Sequence, residues 1–186
     1  MITHSPNQEI RKIAYRSQLV VLLWALILAK CFTLEFLVDF YSVPIDSVVY
    51  VWSLSIFMAV VASFVFLRVE AEDGITLPRQ PTIVWGLAAI GILLLSAVSL
   101  LTPVLPTASL PAAIALVIGC ACLAHGLAVR DRLQSATAFG WWLGAAVLFR
   151  LSGSVGLLLF AFLLVALVAV PIAVRLVLIR RRLGAQ

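Results

Sequence analysis

Long apolar runs, interrupted at short intervals by polar or turn-forming clusters, divide the chain into six segments. The runs cover residues 19–37, 48–67, 83–101, 110–129, 136–149 and 155–179. A hydrocarbon core of about 30 Å needs about 20 helical residues at 1.5 Å each. The first four segments meet that length. The fifth reaches only about 21 Å, so it has to thin the bilayer or extend through Arg150 to Ser152. The sixth is long and carries Pro171 and Arg175, which predicts a kink near its far end. Between the last two runs, Ser152, Gly153, Ser154, Val155 and Gly156 favour a turn and separate two helices. The alternative joins these runs into one long span with an interfacial piece, for a total of five.

The pattern predicts an all-α, polytopic bundle of six transmembrane helices. Composition agrees: of 186 residues 64% are hydrophobic and 11% charged, against about 45–50% and 25% in a soluble domain. The bilayer is the expected solvent and partner. The expected organisation is an N-terminal cytoplasmic segment (1–17), one membrane domain (18–179) and a basic cytoplasmic tail (180–186). The domain reads as three hairpins, 18–68, 83–130 and 136–179.

Charge fixes the orientation. With the N-terminus inside, Arg11, Lys12, Arg16, Arg68, Arg79, Arg130, Arg132, Arg175, Arg180, Arg181 and Arg182 all fall on the cytoplasmic side. Of the 13 basic residues, only Lys30 and Arg150 fall elsewhere. This asymmetry follows the positive-inside rule and places both termini in the cytoplasm, on one side of a cell membrane. Trp85, Trp141 and Trp142 are expected to open helices at the inner interface, and Trp52 to lie near the outer one. The net charge of +5 sits at the ends of apolar runs rather than in a basic stripe, which argues against nucleic acid. Lys30 directly before Cys31 is wrong for a lipoprotein cleavage site, so the first helix is expected to be retained.

The second helices of the three hairpins align without gaps. Ser47, Ala59, Ala62 and Arg68 match Ser109, Ala121, Ala124 and Arg130, and again Ser154, Ala166, Ala169 and Arg175. Pro44 and Pro106 precede the first two serines by three residues, and Trp24 and Trp85 stand upstream at nearly equal distances. The serine is suited to capping a helix start. Alanines three apart share a face and admit a close neighbour, and the arginine pins the depth of the span.

This pattern resembles the HdeD-type acid-resistance membrane proteins. The matching stretches run from Trp85 and Gly86 through Pro103 and Pro106, then from Ala124, His125 and Gly126 to Arg130. Trp141, Trp142, Leu143 and Gly144, with 169–175, extend the likeness. The first hairpin lacks the glycines and the third the turn proline. The resemblance implies a bacterial inner-membrane protein of about six helices associated with stress.

Few groups offer chemistry. Lys30, Glu35 and Asp39 lie on the first helix or its outer end, where an unpaired ionisable group costs several kcal/mol in hydrocarbon. Glu35 and Asp39 share a face, whereas Lys30 points about 140° from Glu35. Either these residues are functional, with partners on other helices, or the helix ends early and Lys30 snorkels outward. Arg150 is a candidate partner for Glu35 or Asp39 across the outer face, or else an interfacial arginine. Gly140 and Gly144 form a GxxxG, marking a close contact within the bundle or between copies. His125 and His4 are not placed to hold haem between them. Cys31, Cys120 and Cys122 read as small packing residues. No metal-ligand motif, phosphate loop or nucleophile elbow is present, so no cofactor and no enzymatic activity is expected. The leading reading is a non-enzymatic, stress-associated membrane protein. A small transporter or proton-coupled channel using Lys30, Glu35, Asp39 and Arg150 is the alternative, followed by an accessory subunit of a larger membrane complex.

Overall fold

Apolar runs satisfy their own backbone N–H and C=O groups most directly as helices. The computed structural model describes residues 6–42, 46–72, 79–102, 104–151 and 153–184, with side chains for 18–42, 50–65, 83–99, 101–102, 104–106, 108–151 and 153–181. Among these residues every regular element is helical. In chain order they are α1 (Pro6–Tyr41), α2 (Asp46–Glu72), α3 (Arg79–Leu101), α4 (Leu110–Ala128), α5 (Arg132–Leu148), α6 (Ser154–Leu164) and α7 (Val170–Gly184). A short 3-10 turn (Thr107–Ser109) leads into α4, and a π turn (Val165–Ala169) joins α6 to α7 in one continuous rod. Three stretches are long and apolar enough to cross a membrane: Gln18–Tyr41, Leu110–Ala128 and Ser154–Arg181. Tyr50–Val65 and Ile83–Ser99 are shorter apolar stretches.

α6 lies in the middle and touches α1, α4 and α5, while α2 packs on α1 and α3 packs on α4. The most extensive contact joins α4 to α5. On α4, Ala112, Ala115, Gly119, Cys122 and Gly126 are buried, spaced alternately by three and four residues. On α5 the buried set Ala138, Trp141, Ala145 and Leu148 has the same spacing. This is the heptad seam of two helices wound side by side. Its small residues on α4 let large ones on α5 lie against the backbone. A Cβ at Gly119 would stand 2.6 Å from two ring atoms of Trp142 and 3.2 Å from the Cβ of Trp141. A Cβ at Gly126 would meet the Ser135 hydroxyl and, at 2.6 Å, its backbone nitrogen.

The seam can form because the chain reverses within three residues. Arg130 adopts a left-handed conformation, φ 55°. The N–H of Asp131 then donates back to the carbonyl of Gly126 at 2.8 Å, and that of Arg130 to Leu127 at 3.4 Å. These two bonds satisfy carbonyls that the end of α4 leaves open. Asp131 caps the next helix, its Oδ1 accepting from the N–H groups of Leu133 at 3.0 Å and Gln134 at 3.2 Å. α5 therefore starts at Arg132, four residues before its apolar run, and 17 residues reach about 25 Å. Hydropathy missed this first turn because Arg132, Gln134 and Ser135 are polar.

The longer α5 corrects the expectation for Trp141. It is not an interfacial residue opening a helix but lies mid-helix and fully buried, 5.9 Å from the ring of Phe160. α5 and α6 are separate helices, divided at Gly153 (φ 79°), as the Ser–Gly stretch predicts. Among the described residues, two of the expected capping serines do not cap. Ser109 precedes α4 in a right-handed helical conformation without a side-chain cap bond, and Pro111 in the first turn has no N–H to donate. Ser154 is the first residue of α6, and the cap position is Gly153. Just before Pro171, where a kink was expected, lies the π turn, in which the Val170 N–H reaches back to the carbonyl of Val165. Widening the turn accommodates a proline that cannot donate to Leu167.

The predicted packing residues divide. Gly140 faces the π turn and Gly144 faces α6 within the chain, where Cβ atoms would stand 3.0 Å and 2.5 Å from Leu167 and Leu163. Ala59, Ala121 and Ala169 are buried, Ala62 and Ala166 half-buried, and Ala124 exposed. Pro44 and Pro103, and the side chains of Ser47, Arg68 and Arg79, lie outside the described residues.

The α4–α5 seam yields a direct comparison. Gly126→Ala drives a Cβ into the Ser135 backbone and is expected to cost about 1–3 kcal/mol. Gly86→Ala, with open space around its Cβ, should instead gain a few tenths of a kcal/mol to about 1 kcal/mol of helix propensity. Thermal unfolding of the two variants in detergent should move in opposite directions.

Candidate functional site

α1 does not stop short of its charged residues. It continues to Tyr41, placing Lys30 and Asp39 at exposed positions and Glu35 at a half-buried one. Lys30 reaches across to α2, where its Nζ donates to the Ser55 hydroxyl at 2.6 Å. Ser55 in turn donates to the carbonyl of Val51, one turn earlier, at 2.6 Å. Two helical turns along α2 the same device recurs: the Trp24 indole N–H donates to Ser63 at 2.9 Å, and Ser63 donates to the carbonyl of Ala59 at 2.7 Å. Each serine hydroxyl thus accepts one bond from α1 and returns its own proton to its helix. Between the two serines the fully buried Ala59 brings the backbones together.

The same register recurs in the next hairpin. The serines Ser47 and Ser109 align with an offset of 62, which carries Ser63 to His125 and Ser55 to Val117, whereas Trp24 and Trp85 stand 61 apart, which carries Lys30 to Gly91. Trp85, the counterpart of Trp24, faces His125 with ring centroids 6.2 Å apart. Gly91, the counterpart of Lys30, faces Val117, whose Cγ1 would stand 3.8 Å from a Cβ there. Sequence reasoning paired the tryptophans as landmarks but missed their partners, which the hydrogen bond and the ring contact identify.

Glu35 and Asp39 are one turn apart on α1. Arg150 is exposed just beyond α5, and no ion pair among the described residues joins it to either acid. No group of three His, Cys, Asp or Glu among the described residues is arranged to hold a metal ion. All three cysteines are free; Cys31 and Cys122 are buried and Cys120 is exposed.

The strongest polar arrangement lies where α4 meets α5. Arg175 of α7 donates to Oδ2 of Asp131 at 2.6 Å, and both side chains are about one-third exposed or less. Asp131 therefore has both oxygens engaged, one capping α5 and the other tying α7 to the same turn. Desolvation pushes its carboxyl up, but the N–H of Gln134 and the Arg175 guanidinium, helped by the N–H of Leu133, outweigh this and hold it below the usual carboxylate range. Nearby, Gln134 donates to the sulfur of Cys122 at 3.6 Å across the seam. Arg175 was expected to pin a span in the headgroups; the sequence reading gave Asp131 no role, so its specific partner emerges only from the structure.

No protein-family model matches the chain, nor does any curated protein or solved structure.

The lowered carboxyl of Asp131 sets a pH dependence. Its stabilisation is complete above the unfolded-chain value, about pH 4, and is lost as pH falls through the lower folded value. Asp131→Asn keeps a capping side chain but loses the ion pair, and should cost about 0.5–1 kcal/mol at neutral pH. Asp131→Ala also loses the cap and should cost about 1 kcal/mol more. In detergent melts between pH 3 and 7, the destabilisation caused by Asp131→Asn should shrink toward the acid end.

Proposed function

We propose that the chain is a non-enzymatic integral membrane protein that crosses a bacterial inner membrane six times, as three hairpins with both termini in the cytoplasm. The observation that carries this reading is how the polar groups are used. Along the apolar helices, Lys30, Trp24, Ser55 and Ser63 close interhelical hydrogen bonds, and Asp131 and Arg175 close a turn. Such bonds hold a bundle in hydrocarbon, where helices lack a hydrophobic drive to associate. The matching register of α1–α2 and α3–α4 supports a repeated hairpin. The third hairpin departs from it, since α5 lies mainly along α4 and α6 along α1. An association with stress or acid resistance follows from the HdeD-type resemblance alone.

A second reading, transport, is favoured by one observation: Lys30 is an ionisable group inside the Gln18–Tyr41 stretch, hydrogen-bonded to the next helix. In that case Lys30→Ala abolishes solute or proton flux in proteoliposomes, whereas a non-transporting protein gives no flux with either chain.

Topology is tested with a membrane-impermeant maleimide on single-cysteine variants lacking the native cysteines. Arg132→Cys and Arg181→Cys should label only from the cytoplasmic side, and Arg150→Cys only from the opposite side. Labelling of positions 132 and 150 from one side would overturn the six-span arrangement.

A further inference from the structure

Beside the Asp131–Arg175 pair, the α4–α5 hairpin opens an outward-facing groove of about 500 Å³. Its two parts differ in chemistry. Arg130, Arg132 and Ser135 supply polar groups around the turn, while Leu127, Ala136 and Phe139 supply apolar surface along the two helices. Arg130 and Arg132 are exposed, as are Leu127 and Phe139.

Asp131 also borders the groove, yet it does not neutralise the arginines beside it. One carboxylate oxygen accepts from Leu133 and Gln134, and the other is taken by Arg175. Among the described residues no ion pair engages Arg130 or Arg132. Among the described residues the turn therefore presents two guanidinium groups without an ion-pair partner, bordering an apolar slot.

A ligand that fits both halves is amphipathic and negatively charged where it meets the arginines. Guanidinium groups match phosphate oxygens in pairs. A free phosphate leaves Leu127, Ala136 and Phe139 bare. An acyl chain covers them, and a basic pocket at the cytoplasmic ends of membrane helices suits an anionic headgroup. We propose that this groove binds an anionic phospholipid of the cytoplasmic leaflet, its phosphate held by Arg130 and Arg132 and one acyl chain lying along Leu127, Ala136 and Phe139. The leaflet assignment rests on the proposed topology; the lipid site itself does not.

Native mass spectrometry of the intact chain tests this, released from micelles supplemented with equal amounts of phosphatidylglycerol and phosphatidylcholine of matched chains. Micelles have no sides, so an inverted topology would leave the result intact and would appear only in the maleimide labelling. The wild-type chain should retain phosphatidylglycerol preferentially. Replacing both arginines, R130Q with R132Q, should lower that retention roughly thirtyfold, from the loss of two charges at the site. R150Q, at an exposed arginine outside the groove, should leave it unchanged. R132Q alone, which leaves the left-handed position untouched, should give a smaller loss and serves if the double variant loses helicity by circular dichroism. Excess glycerol phosphate should not displace the lipid. Four outcomes overturn the proposal: no preference in the wild type, full retention without the groove arginines, an equal loss in R150Q, or displacement by glycerol phosphate. The last would mark a site for a bare anion.

Discussion

Helices surrounded by apolar medium gain little from hiding apolar surface against one another, so what holds them is how closely they approach and which hydrogen bonds they exchange. The rest of this bundle depends on that constraint. Where α4 meets α5, alanine, glycine and cysteine remove side-chain bulk from one face, and Trp141 and Trp142 move in over the exposed backbone. At α2 the same end is reached differently, with Ala59 between two serines that bind α1. Along α6 and the π turn after it the small residues change sides, since Gly140 and Gly144 of α5 receive Leu167 and Leu163. In each interface one helix supplies the gap and the other fills it, and dispersion across many short contacts does what solvent exclusion does in a water-soluble core.

Hydrogen bonds then fix the register that close packing alone leaves free to slide. A seam of small residues tolerates displacement along the helix axis, whereas Trp24–Ser63 and Lys30–Ser55 allow one alignment of α1 on α2. Ser55 and Ser63 can take these bonds without leaving a proton unplaced, because each returns its own to the carbonyl four residues earlier. Asp131 acts similarly at a turn: the capping carboxylate that starts α5 also receives Arg175, so one side chain ties the α4–α5 hairpin to the end of the chain's last rod.

Much of the fold was legible because each apolar run falls on a helix, although α1 and α2 extend beyond their runs at both ends. The breaks at Gly153 and at the α4–α5 turn were visible as interruptions in those runs. The start of α5 was not, since hydropathy registers Arg132, Gln134 and Ser135 as loop while the cap at Asp131 makes them helix. Trp141 followed the same error: a tryptophan near a supposed helix end reads as interfacial, but four added residues carry it into the core. The GxxxG of Gly140 and Gly144 was readable as a close contact, though not which helix would fill it. Lys30 was identifiable as an unusual charge, but its partner Ser55 was not, because serine in an apolar helix carries no mark of what it binds.

The π turn at Val165–Ala169 bears on how the end of the chain tolerates change. A π turn is one residue more than an α-helix needs for the same advance, so it rotates everything after it by about 100° relative to an uninterrupted helix. Arg175 lies beyond it, and meets Asp131 from that rotated position. The Pro171 ring and the guanidinium's aim are therefore coupled through a single inserted residue. A deletion within this segment that restored a regular helix would keep the rod intact and its hydropathy unchanged, yet swing the arginine away from the turn it secures.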